Sequence, residues 1–168
     1  GTVSTLRVHR DGLERTSVVR SRGDFPSSVT VRGSLVYVLD AGGEGRVSGY
    51  RLHDGRLVPI RHAVASLGLA NAAVPAFITA PAQVGLSPDG RTLAVTTKAN
   101  NTIVTFPVHR DGTLGAARVT ASQGPVPFSF VFDASGRLQV QQAGDGRNAS
   151  YAVNADSSLT PLGTSAPS

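Results

Sequence analysis

Apolar and polar residues alternate along most of this chain in short runs that end at Asp, Gly or Ser. Alternation of this kind has the period of β-strands, whose side chains point to opposite faces in turn. One such phrase occurs four times, at residues 3–13 (VSTLRVHRDGL), 47–57 (VSGYRLHDGRL), 103–114 (IVTFPVHRDGTL) and 149–159 (ASYAVNADSSL). Aligned, the copies place Leu6, Tyr50, Phe106 and Tyr151 in one column, and Val8, Leu52, Val108 and Val153 in the next apolar column two residues on. The Asp-Gly or Asp-Ser step that follows is a turn signal, because Gly accepts positive φ and Asp bonds its own backbone. Leu13, Leu57, Leu114 and Leu159 then open the returning strand, so each copy predicts a β-hairpin.

A second phrase precedes three of the hairpins: residues 26–40 (PSSVTVRGSLVYVLD), 81–98 (PAQVGLSPDGRTLAVTTK) and 127–143 (PFSFVFDASGRLQVQQA). Each reads as proline, strand, Gly-containing turn and strand. Joined to its hairpin it makes a four-stranded antiparallel unit of roughly 45 residues, the period of a propeller blade. With the strands of a blade lettered a to d, the chain divides into a c–d half blade (1–20), a blade (21–66), an insertion (67–80) and two further blades (81–122 and 123–168). The expected fold is an all-β propeller arc of three whole four-stranded blades plus a two-stranded half blade. Propellers close with about four to eight blades, so this is half a ring.

An open arc is expected to expose an apolar blade face at each end. Roughly 500 Å² per face at about 25 cal/mol per Å² comes to on the order of 12 kcal/mol. Something should cover those faces: the remainder of a longer parent propeller or a second copy of the chain. Two copies supply enough strands for seven blades, but each would start with a half blade lacking its a and b strands, which favours the longer parent.

Composition narrows the partners. The chain is 40% hydrophobic with 19 Gly and 10 Pro, as many short strands and turns require. No apolar run reaches the roughly 20 residues of a membrane-spanning helix, and no membrane partner is expected. With no Cys there is no disulfide, thiolate metal site or Cys nucleophile. The net charge of +5 invites a nucleic-acid reading, but Lys98 is the one lysine and the arginines are scattered singly from Arg7 to Arg147. Phosphate tracking needs clustered cations with stacking aromatics, so no nucleic acid is expected. The bias toward Arg, Ala, Val and Gly fits a GC-rich bacterial genome. The compartment stays open, since a cytoplasmic protein and a secreted one trimmed of its leader read alike.

The phrases PAQVGLSPDGRTLAVTTKANNTIVTFPVHRDGTL and PFSFVFDASGRLQVQQAGDG resemble the lactonase family of seven-bladed propellers, which includes bacterial 6-phosphogluconolactonase and the fungal carboxymuconate-lactonizing enzyme. The resemblance runs from about Val3 to Pro161 and covers about half of a family member; SPDGRTL at residues 87–93 and the DG hairpins are its most specific pieces. It implies a sugar-acid or muconate-type lactone opened by water, or closed in the reverse direction, at one mouth of the central channel. That chemistry needs a base for the water and cations for an acidic substrate and its oxyanion. Family members carry a histidine-bearing motif where the innermost strand begins. Here the matching residues are Ala80, Pro81, Ala82 and Gln83, with Pro26-Ser27-Ser28 and Pro127-Phe128-Ser129 in the other blades. Glutamine is no general base, so this half is expected to be incomplete for catalysis and no catalytic residue is assigned. A non-catalytic propeller that binds a ligand or protein through its loop face is the alternative.

His9, His53 and His109 share one repeat column before the turn, with Asn154 as the fourth member. Recurring once per blade, they cannot converge on one site and read as turn residues; His62 lies outside the repeat. In a propeller the b–c and d–a connections share one face. The working mouth should therefore be lined by residues 22–25, 40–46, 61–80, 98–101, 123–128 and 144–148. Asp24 is the carboxylate nearest an inner strand, Lys98 and Arg46 are the anion clamps, Gln83 could orient a ligand, and Asn100 and Phe128 complete the ligand-binding candidates. A small acidic or lactone ligand is the partner they suit. Residues 40–44 (DAGGE) and 145–148 (DGRN) look like pieces of a calcium loop but lack its alternating oxygen ligands, so neither metal nor cofactor is expected. Asn100-Asn-Thr102 and Asn148-Ala-Ser150 match the glycosylation pattern, which arises often by chance. The insertion, rich in Ala and Leu with Pro75, reads as a short helix or a cover over the mouth.

Overall fold

A computed structural model describes residues 1–165 of the chain. Its fourteen strands are β1 (Thr2–His9), β2 (Gly12–Arg20), β3 (Pro26–Arg32), β4 (Leu35–Asp40), β5 (Arg46–His53), β6 (Arg56–Ser66), β7 (Pro81–Leu86), β8 (Thr92–Thr97), β9 (Thr102–Pro107), β10 (Arg118–Ala121), β11 (Pro127–Phe132), β12 (Leu138–Gln142), β13 (Arg147–Val153) and β14 (Leu159–Thr164). They form one two-stranded sheet, β1-β2, and three four-stranded antiparallel sheets, β3 to β6, β7 to β10 and β11 to β14, each in sequence order. This is the arc of a half blade and three blades.

The two middle sheets bury both faces against their neighbours and the two end sheets bury one, and alternation along the strands decides which residue goes where. Val36, Val38, Tyr50 and Leu57 pack back onto Val3 and Val19 of the half blade. On the opposite face of the same sheet, Tyr37, Leu39 and Val47 meet Val84, Leu93, Val95, Val104 and Phe106 of the next. Ala94 and Ile103 then meet Phe130, Leu138, Val140 and Tyr151. The aromatic column of the repeat thus faces the preceding blade. Tyr50, Phe106 and Tyr151 are at most 1% exposed, whereas Leu6, with no blade before it, is 52% exposed.

The tyrosines also staple connections. The Tyr37 hydroxyl donates to the Gly112 carbonyl at 2.7 Å and Tyr50 to the Arg20 carbonyl at 2.7 Å, while the Gln123 amide donates to the Tyr151 hydroxyl at 2.9 Å. Burial pushes the phenols of Tyr37 and Tyr50 up to about 12, so both remain donors at neutral pH.

A second set of side-chain bonds runs between the innermost strands. Ser28 Oγ and Thr30 Oγ1 of β3 accept from the Val84 and Leu86 amides of β7. Gln83 of β7 pairs with both backbone groups of Phe130 in β11, its Nε2 donating to the carbonyl and its Oε1 accepting from the amide, each at 3.0 Å. At Gly85 a methyl group would lie 2.7 Å from the Phe130 ring, so the two inner strands approach too closely there for any side chain.

Three sequence expectations change. The end faces are not alike: the first exposes Leu6, Val8 and Leu13, but the last is largely polar. There Ser129 donates to Gln141 and Ser150 to Gln139, leaving Val131 as an exposed apolar residue on the inner strand. The β12 phrase LQVQQ turns its apolar residues to the preceding blade and Gln139 and Gln141 outward, while Gln142 is buried, so the apolar estimate applies to the first end alone. Second, Leu114 does not open a strand; it makes a single bridge to Val108, and β10 begins at Arg118. Pro107 has no N–H for a fourth strand to bond, and the Gly115 amide turns in to its carbonyl at 2.8 Å. Third, residues 61–66 belong to β6, bent at His62 (φ 62°), so the mouth connection begins at Leu67.

Candidate functional site

The b–c and d–a connections gather on one face and are laced together by backbone bonds. The Ala41 and Gly42 amides donate to the Phe25 and Asp24 carbonyls, both at 2.9 Å, and the Ala143 amide donates to Val126 at 2.9 Å. The insertion is an extended cover rather than a helix. Gly43 N donates to Ala72 O, Asn71 N donates to Gly43 O, and Leu69 N donates to Glu44 O. Its one turn, at Ala76 to Ala80, carries Phe77 toward the inner strands.

Two places on this face concentrate polar chemistry. The first is an open cleft of about 430 Å³ between the half blade and the first full blade, lined by Arg20, Arg22, Asp24, Glu44, Arg46 and the glycines at 23, 42, 43 and 45. Arg46 donates to the Arg22 carbonyl at 3.0 Å and lies 4.0 Å from the Glu44 carboxylate. Beside the cleft sits Asp40, fully buried, and among the described residues neither of its carboxylate oxygens is hydrogen-bonded. Burial, reinforced by the charge of Asp24 nearby, raises its pKa. Thr97 and Gln142 occupy the same repeat position in the other blades; there the Thr97 hydroxyl pairs with Thr102 and the Gln142 Oε1 accepts from Ser122, while the Gln142 Nε2 is buried without a partner among the described residues.

The second place is Lys98, at the loop end of β8. It is 3% exposed, and its Nζ stands 3.7 Å from the Phe77 ring centre and 5.2 Å from that of Phe128. The two rings lie 5.8 Å apart. Among the described residues no carboxylate comes within ion-pair distance of this ammonium. Its cover is one side chain thick, since Phe77 is itself 72% exposed. Desolvation under the rings lowers the Lys98 pKa. An isolated cation at an aromatic threshold can attract a carboxylate or stabilise an oxyanion.

The sequence candidates separate accordingly. Asp24 and Arg46 share the cleft; Lys98 and Phe128 share the aromatic cage. Gln83 has both amide atoms engaged by Phe130, and Asn100 is exposed on the loop after Lys98. Its neighbour Asn101, at φ 51°, ties the loops by accepting from the Val126 amide at 2.7 Å. Sequence reasoning missed Phe77 and Asp40. Nothing in the repeat marks Phe77, which lies in the insertion, whereas a carboxylate in a column otherwise holding Thr97 and Gln142 was a visible signal. The histidines stay off this face: His9 pairs with Glu14 at 2.9 Å and His53 with Asp54 at 3.3 Å, both at c–d turns. Among the described residues no three His, Cys, Asp or Glu side chains gather as a metal site would require.

Comparison with known proteins agrees with this architecture. Residues 50–167 match the family model described as lactonase, 7-bladed beta-propeller. Among solved structures, a candidate 6-phosphogluconolactonase from Bacteroides uniformis superposes with a TM-score of 0.76 at 20% identity, over 97% of this chain and 49% of that one. A second such candidate, from Bacteroides fragilis, gives 0.61 at 23% identity over 79% and 36%. A protein of unknown function from Desulfotomaculum acetoxidans gives 0.76 at 13% identity over 99% and 50%. These likenesses concern the fold. The chain spans half or less of the length of each of the three. No curated protein matches it.

Proposed function

Since the chain belongs to the lactonase family of seven-bladed β-propellers, we propose that it forms the ligand-holding part of a lactonase mouth, binding a small lactone and its ring-opened acid through Lys98. Hydrolysis in this reading proceeds by attack of water on the lactone carbonyl, collapse of the oxyanion and cleavage of the ring C–O bond, leaving a carboxylate and an alcohol. Lys98 meets the developing oxyanion and then the carboxylate, both stronger acceptors than the starting ester. The observation that carries the reading is the buried ammonium at the loop face with no acidic partner among the described residues. A structural lysine in such a place is normally paired, because an unpaired buried charge is costly.

The base is the missing element. The described mouth offers Asp24, Asp40, Glu44 and Asp145, but Asp40 is buried, Glu44 already accepts from Ser66 at 2.9 Å and Asp145 from the Arg147 amide at 3.2 Å. We therefore assign water activation to residues outside this chain, supplied by the remainder of the ring. The alternative, a non-catalytic binding propeller, uses the same cation and is favoured by the placement of the histidines away from the mouth.

Calorimetric titration of the chain with δ-valerolactone and its hydroxy acid, beside pH-stat measurement of lactone hydrolysis, tests the reading. Saturable binding of the acid that weakens tenfold or more in Lys98→Met supports it. Equal binding by wild type and Lys98→Met, or none by either, refutes it. Turnover by a full ring, with binding alone by this chain, assigns the base; binding without turnover in both favours the non-catalytic reading.

A further inference from the structure

The surroundings of Lys98 say what kind of acid it takes. We infer that the Lys98 site selects lactones and carboxylates bearing an aryl or alkyl group, and discriminates against polyhydroxylated sugar acids. This rests on the lactonase-mouth reading above and specifies its substrate class.

The argument is a count of what a ligand's other atoms would touch. Phe77 and Phe128 wall the ammonium, and beyond Phe77 the same connection exposes Val74 and Ile78. Asn100, exposed on the loop after Lys98, can still meet a ligand, but the other neighbouring polar side chains are already committed within the protein. Thr96 donates to the Phe128 carbonyl at 2.6 Å, Thr97 pairs with Thr102 at 2.5 Å, Asn101 holds the Val126 amide, and Asn71 donates to Ala41 and Thr79. A sugar acid seated on Lys98 would strip water from several hydroxyls and return few hydrogen bonds. Each hydroxyl left unpaired opposes binding. An aryl or alkyl substituent has nothing to lose there and gains area against the rings. The arginine-lined cleft by Asp24 and Arg46 has the opposite character, so a polyol or sugar phosphate would choose it instead.

The test compares γ-phenyl-γ-butyrolactone and its ring-opened acid with glucono-δ-lactone and gluconate, by calorimetric titration of the 168-residue chain, its Phe77→Ala, Lys98→Met and Arg46→Ala variants. The phenyl acid is expected to bind about tenfold tighter than gluconate, and Phe77→Ala to remove most of that margin by weakening the phenyl acid more than gluconate. Phe77 is exposed, so its loss should not unfold the chain; circular dichroism checks this. Gluconate binding as tightly as the phenyl acid, with both lost in Lys98→Met, overturns the selectivity and leaves the lactonase-mouth reading intact. Phenyl-acid binding that survives Lys98→Met but fails in Arg46→Ala moves the site to the cleft and overturns it too. No binding of either acid brings down both.

Discussion

Replacing Gln83 by leucine isolates the bond between inner strands from the packing around it. Leucine keeps nearly the same volume but cannot pair with Phe130, so the variant deletes two hydrogen bonds of 3.0 Å and leaves an amide and a carbonyl of β11 without their partner. A net hydrogen bond contributes about 1 kcal/mol, and an orphaned buried group costs about 1–3. Phe130 is buried, but the pair sits on the inner edge of the arc where water can reach one side, so a destabilisation of about 2 kcal/mol is expected. With a urea m-value of about 1–3 kcal/mol per molar, the midpoint should fall by roughly 1 M. Urea titration followed by circular dichroism reads it. Ser129→Ala is the control, because Ser129 holds the corresponding position in the last blade and bonds within its own sheet. If Gln83→Leu unfolds within about 0.5 kcal/mol of wild type, or no further from it than Ser129→Ala, the stitching of inner strands contributes nothing and the argument fails.

Other consequences can be read from the same columns. Phe106→Ala or Tyr151→Ala should cost about 3–5 kcal/mol in urea unfolding, against no more than about 0.5 for His109→Ala at an exposed turn; similar losses at all three would contradict the column assignment. Asp40 has its folded pKa raised by burial, so the folded state holds its proton more tightly than the unfolded one. Stability from this group is therefore full below the unfolded value near 3.8 and declines as pH rises through the folded pKa. Asp40→Asn should accordingly match wild type in acid and exceed it at neutral pH, and equal stabilities at pH 7 would show that the carboxylate is solvated. Asp133 behaves oppositely: the Ser135 hydroxyl and the Ser135 and Arg137 amides hold its pKa down to about 2, so its contribution is present above 3.8 and lost as pH falls through about 2. In Asp133→Asn that acid-side loss should shrink, as thermal melts from pH 2 to 5 would show. Gly85→Ala should destabilise by driving a methyl into the Phe130 ring, and an unchanged melting temperature would mean the inner strands are not so close.

Much of the architecture was legible because it depends on short-range periodicity. Alternation placed Tyr50, Phe106 and Tyr151 in one buried column, and the Asp-Gly steps marked the turns. The start of β10 was not legible in this way: the Leu114 column pointed to a strand that begins only at Arg118, after Pro107, which has no N–H to pair. The exposure of Leu6 follows from its place in the arc rather than its type. Gln83 shows the limit: one strand's pattern places it on the inner edge but does not reveal that Phe130, 47 residues later, takes up both of its amide atoms.

By itself, the order of residues determined the strands, their grouping into blades and the face on which the connections gather, since each depends on neighbours within about ten positions along the chain. Only the tertiary structure decided which of those connections hold chemistry. The meeting of Lys98 with Phe77 and Phe128 joins residues from different blades and from an insertion with no repeat to align, and burial between blades leaves Asp40 without a hydrogen-bond partner among the described residues. Such contacts are set by how blades stack around the axis, through packing that acts across the chain and leaves no period in the sequence.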